Sequence, residues 1–341
     1  MTQAPQASLS SATAFAAVLE RNEHSLELVE RAMRDQLGSP SDVVAALGDH
    51  VLSAGGKRMR PALLLLAAEL CGYTGPRRVQ VGAAVELLHT ATLLHDDVVD
   101  VSELRRGRPS ANALWGNRRA ILAGDFFYAR ASSMIVEDGD LDILWIFADT
   151  IRSMAEGELL QLERSYDPTV TEAHYFGVIE RKSAVLLSAA CEAGAILGGV
   201  TRAERRQVAD FGRELGLAFQ LRDDALDYEA PEAELGKPPH TDIREGKVTL
   251  PLLLTLKRCT PAERESVASL LKSAARPGEA GAEVDLAPAL ALVERYRGVP
   301  DTVRRAEEHA ARAAAAIAPF PDAQAKRDLL AAASFAVARS R

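Results

Sequence analysis

Apolar residues recur at three- and four-residue intervals through almost the whole chain, and no run of alternating or β-branched residues interrupts them. That period belongs to helices with one buried face, so the sequence restricts the chain to an all-α architecture without strands. The composition agrees, because Ala and Leu dominate a hydrophobic fraction of 48% that contains few aromatic residues, and both are strong helix formers. Glycine, proline and aspartate clusters, among them Gly55-Gly56, Gly72–Pro76, Asp167-Pro168, Ala230–Lys247 and Pro319–Pro321, divide the pattern into about ten to twelve helices. Asp301 is placed to cap the Ala-rich helix that follows it. No long polar linker separates these pieces, so residues 13–341 are expected to form one large helical bundle behind a frayed tail at 1–12.

The net charge of -8 and the lack of a basic run exclude nucleic acid as a partner, since backbone binding needs clustered Lys and Arg. Cys71, Cys191 and Cys259 are widely spaced in apolar surroundings and read as small buried hydrophobes of a reducing compartment. The N-terminus lacks a basic segment followed by an apolar core, and the longest apolar run, near Pro61–Leu70, is too short to cross a bilayer. A soluble, cytoplasmic protein is expected.

Two acidic strings carry the chemistry. Leu88, Thr92, Asp96 and Asp100 follow one another at four-residue steps, so two carboxylates of Asp96-Asp97-Asp100 share one helical stripe. Gly216, Gln220, Asp223 and Asp227 fall at i, i+4, i+7 and i+11 and place two carboxylates of Asp223-Asp224-Asp227 on the inward face of another helix. Carboxylates gathered on apolar stripes repel one another and lose hydration, and hard divalent cations resolve that conflict. Mg²⁺ binds through a few carboxylates together with substrate phosphates, so the pattern implies a phosphorylated ligand. A single such string is an ordinary solvated helix end, whereas two behind apolar helical stretches are not.

Cations complement the acids. Lys57, Arg58 and Arg60 follow Gly55-Gly56 at the start of a helix, where backbone N–H groups favour an anion. Arg105-Arg106 follows the first acidic string within a few residues, and guanidinium forks bind phosphate bidentately. The stretch Ala230–Lys247, with Pro238-Pro239 among mixed charges, is a candidate lid.

The strings GGKRMRP (55–61), LLHTATLLHDDVVD (87–100), LRRGRPSANALWGN (104–117), GDFFYARA (124–131), EGELLQL (156–162), FQLRDDALDY (219–228) and GKPPHTDIREGKVTLP (236–251) closely resemble the trans-isoprenyl diphosphate synthases, most of all the long-chain polyprenyl diphosphate synthases. The resemblance runs in order over nearly the whole chain, and it implies a bundle of the isoprenoid synthase type around a central active-site cavity. It implies that Asp96, Asp97, Asp100, Asp223, Asp224 and Asp227 serve magnesium, with manganese as a substitute, and that these ions grip an allylic diphosphate such as farnesyl or geranylgeranyl diphosphate. Arg105, Lys182, Lys237 and Lys247 would neutralise the same diphosphate. Lys57, Arg60, His89 and Arg106 would form a metal-free pocket for isopentenyl diphosphate, and Gln220 would support the allylic site. Ser183 stands where the family has threonine and keeps the hydroxyl; Arg222 stands where an apolar residue is usual.

The family reaction is ionisation, condensation and elimination, which needs no side-chain nucleophile, and the general base stays unassigned. A diphosphate fixed at Asp96 and Asp100 sends the growing hydrocarbon along the stripe past Thr92, Ala91 and Leu88. Short-chain members place a bulky aromatic near these positions, so the small Ala91 and Thr92 imply a long, octaprenyl-like product, with Met134 and Ile135 as the expected tunnel floor. Short-chain synthases making farnesyl or geranylgeranyl diphosphate, a terpene cyclase and a non-catalytic synthase subunit are the rivals; cyclases carry one aspartate-rich motif, and such subunits tend to lose aspartates or the basic pocket. The resemblance also implies a homodimer, peripheral membrane contact during product release, and a quinone side chain as the end use.

Overall fold

The computed structural model describes residues 4–39, 41–53, 55–56, 58–229, 240–275 and 285–339, with side chains from residue 11 onward. Among these residues the chain forms seventeen α-helices and one two-residue hairpin. The helices are α1 (Ala4–Arg21), α2 (Glu23–Asp35), α3 (Asp42–Ser53), α4 (Met59–Leu70), α5 (Arg77–Val99), α6 (Ala111–Trp115), α7 (Asn117–Asp138), α8 (Leu141–Glu163) and α9 (Glu172–Ile179). A single π turn, Glu180–Ala184, leads into α10 (Val185–Leu197), followed by α11 (Arg202–Glu229) and the short α12 (Thr241–Arg244). The remaining helices are α13 (Leu250–Arg258), α14 (Pro261–Ala274), α15 (Ala287–Arg295), α16 (Gly298–Ala316) and α17 (Gln324–Ala338). Residues 4–12, expected as a frayed tail, form the opening turns of α1.

Apolar stripes assemble these rods into three touching cores. Val29, Leu87, Phe127 and Phe147 join α2, α5, α7 and α8; Phe15, Leu63, Phe211 and Leu329 join α1, α4, α11 and α17; Leu217, Leu253 and Leu271 join α11, α13 and α14. Phe15 stacks on Phe335 with ring centroids 4.6 Å apart, which pins the first helix against the last and brings the C-terminus over α11. All three cysteines are free, with Cys191 and Cys259 buried and Cys71 partly so. Among the described residues no helix is long and apolar enough to cross a membrane.

Two local expectations are corrected. The chain is not wholly free of strand, because Leu104–Arg105 pairs antiparallel with Arg108–Pro109. Arg106 (φ 53°) and Gly107 (φ 73°) are both left-handed, the geometry of a two-residue turn whose twist matches a hairpin, so the turn rather than strand propensity made the element. Ser110 then closes it by donating to Ser102 O at 2.6 Å. The Ala-rich helix also starts earlier than its expected cap: α16 begins at Gly298, and Asp301 lies in its first turn paired with Arg258 at 2.6 Å.

One close approach fixes the rotation of α11. A Cβ on Gly216 would lie 2.5 Å from Ala184 Cα, so only glycine lets α11 press against the π turn. That contact turns Gln220 and Asp224 toward the centre of the bundle.

Candidate active site

A cavity of about 230 Å³ opens between the C-terminal end of α5, the π turn, α11 and the loop running to Thr249. Asp96 and Asp100 both line it, one helical turn apart, as their spacing predicts. Asp97 does not. It is only 3% exposed and points the other way, where it accepts from Arg105 Nε at 2.8 Å and holds that guanidinium at the cavity wall. Burial lifts the Asp96 carboxyl to about 6; Lys182 works against the shift, and Glu158 and Asp100 add to it.

The inward stripe of α11 differs from the expected one. Gln220 and Asp224, rather than Asp223, line the cavity. Asp223 sits 100° further round the helix, and its half-exposed carboxylate pairs with Arg339 near the C-terminus. The Arg339 guanidinium lies 3.6 Å over the Phe219 ring and donates to Phe219 O at 3.0 Å, while Arg222 Nε donates to Arg339 O at 3.1 Å. The unusual arginine at 222 thus tethers the chain end. Asp227 is buried beneath Asp224 and accepts from the Asp242 backbone N–H at 3.1 Å.

Asp224 is the hub of a hydrogen-bonded chain. Gln220 Nε2 donates to it at 2.8 Å, Gln220 Oε1 accepts from the Ser183 hydroxyl at 2.7 Å, and the buried Tyr175 hydroxyl donates to its other oxygen. Burial still raises the Asp224 carboxyl to about 6, against those hydrogen bonds and with the help of Asp223 and Asp227. The π turn places Lys182 and Ser183 side by side on the cavity wall, and Lys182 pairs with Glu158 at 2.5 Å. Lys247 Nζ reaches Asp100 at 3.3 Å and Glu245 at 2.6 Å, which together outweigh burial and hold its ammonium charged.

A second group of cations gathers beside the first. Burial drives His89 well below its ordinary 6.5, reinforced by Arg60, Arg106, Arg105 and Arg58, so its imidazole is neutral near pH 7. The Arg60 Nε is buried without a hydrogen-bond partner, and burial lowers the Arg60 value against the pull of Glu86. Burial likewise lowers Arg106, whose guanidinium lies so close over the loop that a Cβ on Gly56 would meet Nη1 at 2.8 Å. Arg58 does other work, bonding Glu30 at 2.8 Å, Glu86 at 3.1 Å and Leu52 O at 3.1 Å to anchor the loop. Lys57 and Lys237 lie outside the described residues.

Along α5, Ala91 and Leu88 are buried, and the Thr92 hydroxyl donates back to His89 O at 2.8 Å. Further down, an apolar pocket lies between α5, α7, α8 and α10, lined by Val81, Val85, Phe147 and Leu186. Of the expected floor pair, Ile135 lines this pocket and Met134 is packed into the neighbouring core.

The structure adds residues to those singled out by motif. Glu158, Gln161 and Asp242 lie in strings that carry the family resemblance, yet only their partners and the cavity lining give them work. Tyr175 and Arg339 have no local sequence signal; tertiary packing alone brings them to the acids.

Among the described residues no three His, Cys, Asp or Glu side chains already form a metal cage. The donor set is nonetheless a match for a hard divalent cation, since Asp96, Asp100, Asp224 and Asp242 bring four carboxylates to the cavity lining and burial raises two of them. Such an ion binds through one or two carboxylates and takes its remaining oxygens from water and phosphate.

Two acid-bearing helices facing one cavity, beside a separate cation cluster around a neutral histidine, define an all-α enzyme of the isoprenoid synthase type. Residues 41–285 match the family model described as polyprenyl synthetase. The chain is 42% identical over 313 residues to the octaprenyl diphosphate synthase of Escherichia coli strain K12, covering 92% of this chain and 95% of that one. Its fold is similar to a polyprenyl synthase of Caulobacter crescentus CB15 complexed with calcium and isoprenyl diphosphate (TM-score 0.90, 41% identity, 96% of this chain and 98% of that one). It is also similar to a decaprenyl diphosphate synthase of Rhodobacter capsulatus (TM-score 0.88, 36% identity, 96% and 99%). The chain belongs to the polyprenyl synthetase family and is a prenyltransferase.

Proposed function

We propose that the protein is a long-chain trans-polyprenyl diphosphate synthase that condenses isopentenyl diphosphate with an allylic diphosphate. The observation that carries this reading is the pairing of two differently built anion sites: a carboxylate-and-cation cavity at Asp96, Asp100 and Asp224, and a carboxylate-poor cluster of Arg60, His89 and Arg106. The first suits a metal-bridged diphosphate and the second a diphosphate held by cations alone. Relatives whose products are octaprenyl and decaprenyl diphosphate, together with the small Ala91 and Thr92 on the exit stripe, support a long product.

Asp96, Asp97, Asp100, Asp223, Asp224 and Asp227 are assigned to Mg²⁺; Asp97 and Asp223, now paired with Arg105 and Arg339, would hold it only on leaving those partners. The bound metal supplies charge neutralisation on the departing diphosphate. Arg105, Lys182, Lys247 and Lys237 add fixed positive charge at the oxygens where negative charge develops. Ser183 and Gln220 hold Asp224 in its rotamer. Lys57, Arg60, His89 and Arg106 orient isopentenyl diphosphate so that its double bond meets the allylic carbon, and orientation contributes much of the rate. Ala91 and Thr92 open the tunnel, with Ile135 on its lining and Met134 packed in the core beside it.

Residues 13–341 act as one catalytic unit. A homodimer is assigned from the apolar stripe on α6 and α7, where Leu114, Ile121, Leu122 and Tyr128 are exposed by 40 to 66%. The enzyme works in the cytoplasm, handing its product to a membrane. Incubation of the purified chain with isopentenyl diphosphate, farnesyl diphosphate and Mg²⁺ tests the reading: a ladder of linear prenyl diphosphates supports it, whereas cyclic hydrocarbon or no product overturns it.

A further inference from the structure

The bundle is too shallow for the product that the proposed function requires. From Asp96 to Val81, the far lining residue of the apolar pocket, α5 spans about 22 Å at its usual rise. An extended hydrocarbon advances about 1.2 Å per backbone single bond, hence about 5 Å per four-bond isoprene unit. The pocket's far end is therefore reached by about the fifth unit, whereas an eight-unit product extends to about 38 Å. The pocket has little slack to either side, because Leu64, Leu87 and Ile135 around it are almost fully buried, and α5 itself ends only four residues past Val81, at Arg77.

One wall of the pocket is thin. Ile146 and Thr150 on α8 and Ala189 on α10 line the apolar pocket on one side and, on the other, a groove of about 330 Å³ open to the surface. Two of the three are small, so the two helices approach there without a bulky plug. The groove beyond carries Trp145, 72% exposed, and one turn earlier on α8 stands Leu141, 77% exposed. Glu192 on α10 and Arg205 on α11 make the rim across from α8 polar, and Asp149 adds a carboxylate one turn beyond Trp145, so the apolar part of the groove is the Trp145 end.

We propose that the growing tail leaves the bundle through this wall, between α8 and α10, and that Ile146, Thr150 and Ala189 determine how far synthesis runs beyond about five units. The inference rests on the long-chain reading. Through the first units the tail is sheltered by Leu88, Ala91 and Leu186; past the wall, each added unit lies along Trp145 and Leu141 rather than in the core. None of these three residues lines the active-site cavity, so they act on specificity and leave the first condensation untouched.

The test compares product ladders of the full chain with farnesyl diphosphate as primer, scoring the rate of the first condensation separately. Thr150→Phe is expected to keep that first rate within about twofold and to reduce products beyond five units by tenfold or more; Ile146→Ala is expected to shift the ladder to longer products. If Thr150→Phe does not fold, which loss of the first condensation reports, Ile146→Ala decides alone. A wild-type ladder running past five units that both variants leave unchanged overturns the exit while sparing the long-chain reading. A wild-type ladder that stops at five units or fewer overturns the long-chain reading and the exit with it.

Discussion

Replacing Gly216 with alanine tests whether the contact between α11 and the π turn sets the active site. The new Cβ would lie 2.5 Å from Ala184 Cα and 2.9 Å from Ala184 Cβ, whereas unstrained carbon atoms sit about 3.5 to 4.0 Å apart. The obstacle is backbone, so no rotamer change relieves it, and the two segments must separate by about 1 Å. The Ser183 hydroxyl and Gln220 Oε1, now 2.7 Å apart across that same contact, would then stand near 3.7 Å, beyond hydrogen-bonding distance. Overpacking costs about 1 to 3 kcal/mol, and the better helix propensity of alanine returns about 1 kcal/mol. The net expectation is a modest fall in the urea midpoint. The effect on turnover is larger, because Gln220 orients Asp224, and displacements near 1 Å reduce rates by about 100-fold. Urea unfolding and steady-state turnover of the first condensation are the two assays. A Gly216→Ala protein that is more stable than wild type and turns over normally would refute the reasoning.

Asp96→Ala and Asp224→Ala should each reduce turnover by orders of magnitude at saturating Mg²⁺ with the fold intact by circular dichroism; near-normal kinetics would remove both from the metal site. Ala91→Phe should shorten the main product by filling the buried stripe below Asp96, and an unchanged ladder would refute the tunnel assignment. Burial pushes the Glu214 carboxyl up, but bonds to His309 at 2.6 Å and from Arg312 at 2.9 Å outweigh it and hold the group near 2, below its ordinary 4.5. Because the folded value is the depressed one, its contribution of about 3 kcal/mol is present above pH 4.5 and lost as pH falls toward 2. Glu214→Gln should therefore lower stability at pH 7 and flatten the acid limb, which pH-dependent urea unfolding would show.

The helical class was legible because period and composition agree at nearly every position, and the stripe Leu88–Thr92–Asp96–Asp100 was legible because α5 runs without a break from Arg77 to Val99, with Asp100 as its C-cap. The α11 stripe was read one residue wrong. Spacing alone admits either Asp223 or Asp224 beside Gln220, and the choice is made by Gly216 against Ala184, a contact between segments distant in sequence. The hairpin escaped because two left-handed residues, not a β-rich run, create it. Tyr175 and Arg339 were invisible for a similar reason: a tyrosine and a terminal arginine become site residues only when packing aims them at Asp224 and Asp223.

Four acid–cation pairs already bind charges of the site to one another. Asp97 holds Arg105, Asp100 holds Lys247, Glu158 holds Lys182 and Asp223 holds Arg339. An uncompensated buried charge is far more costly than a pair, so these contacts keep acids and cations at one cavity without either losing its ionisation. Under the proposed function a metal-laden diphosphate would bring both signs, offering cations to the acids and phosphate oxygens to the bases. Each internal pair would then be exchanged for one external contact on each side, which would keep the net desolvation cost of binding small. Burial lifts the Asp96 and Asp224 carboxyls to about 6, so under the proposed function they are the positions at which an arriving divalent ion would gain most. In the separate cluster of Arg60, His89 and Arg106 the cations outnumber the nearby acid Glu86, so under the proposed function it would suit a diphosphate that arrives without metal.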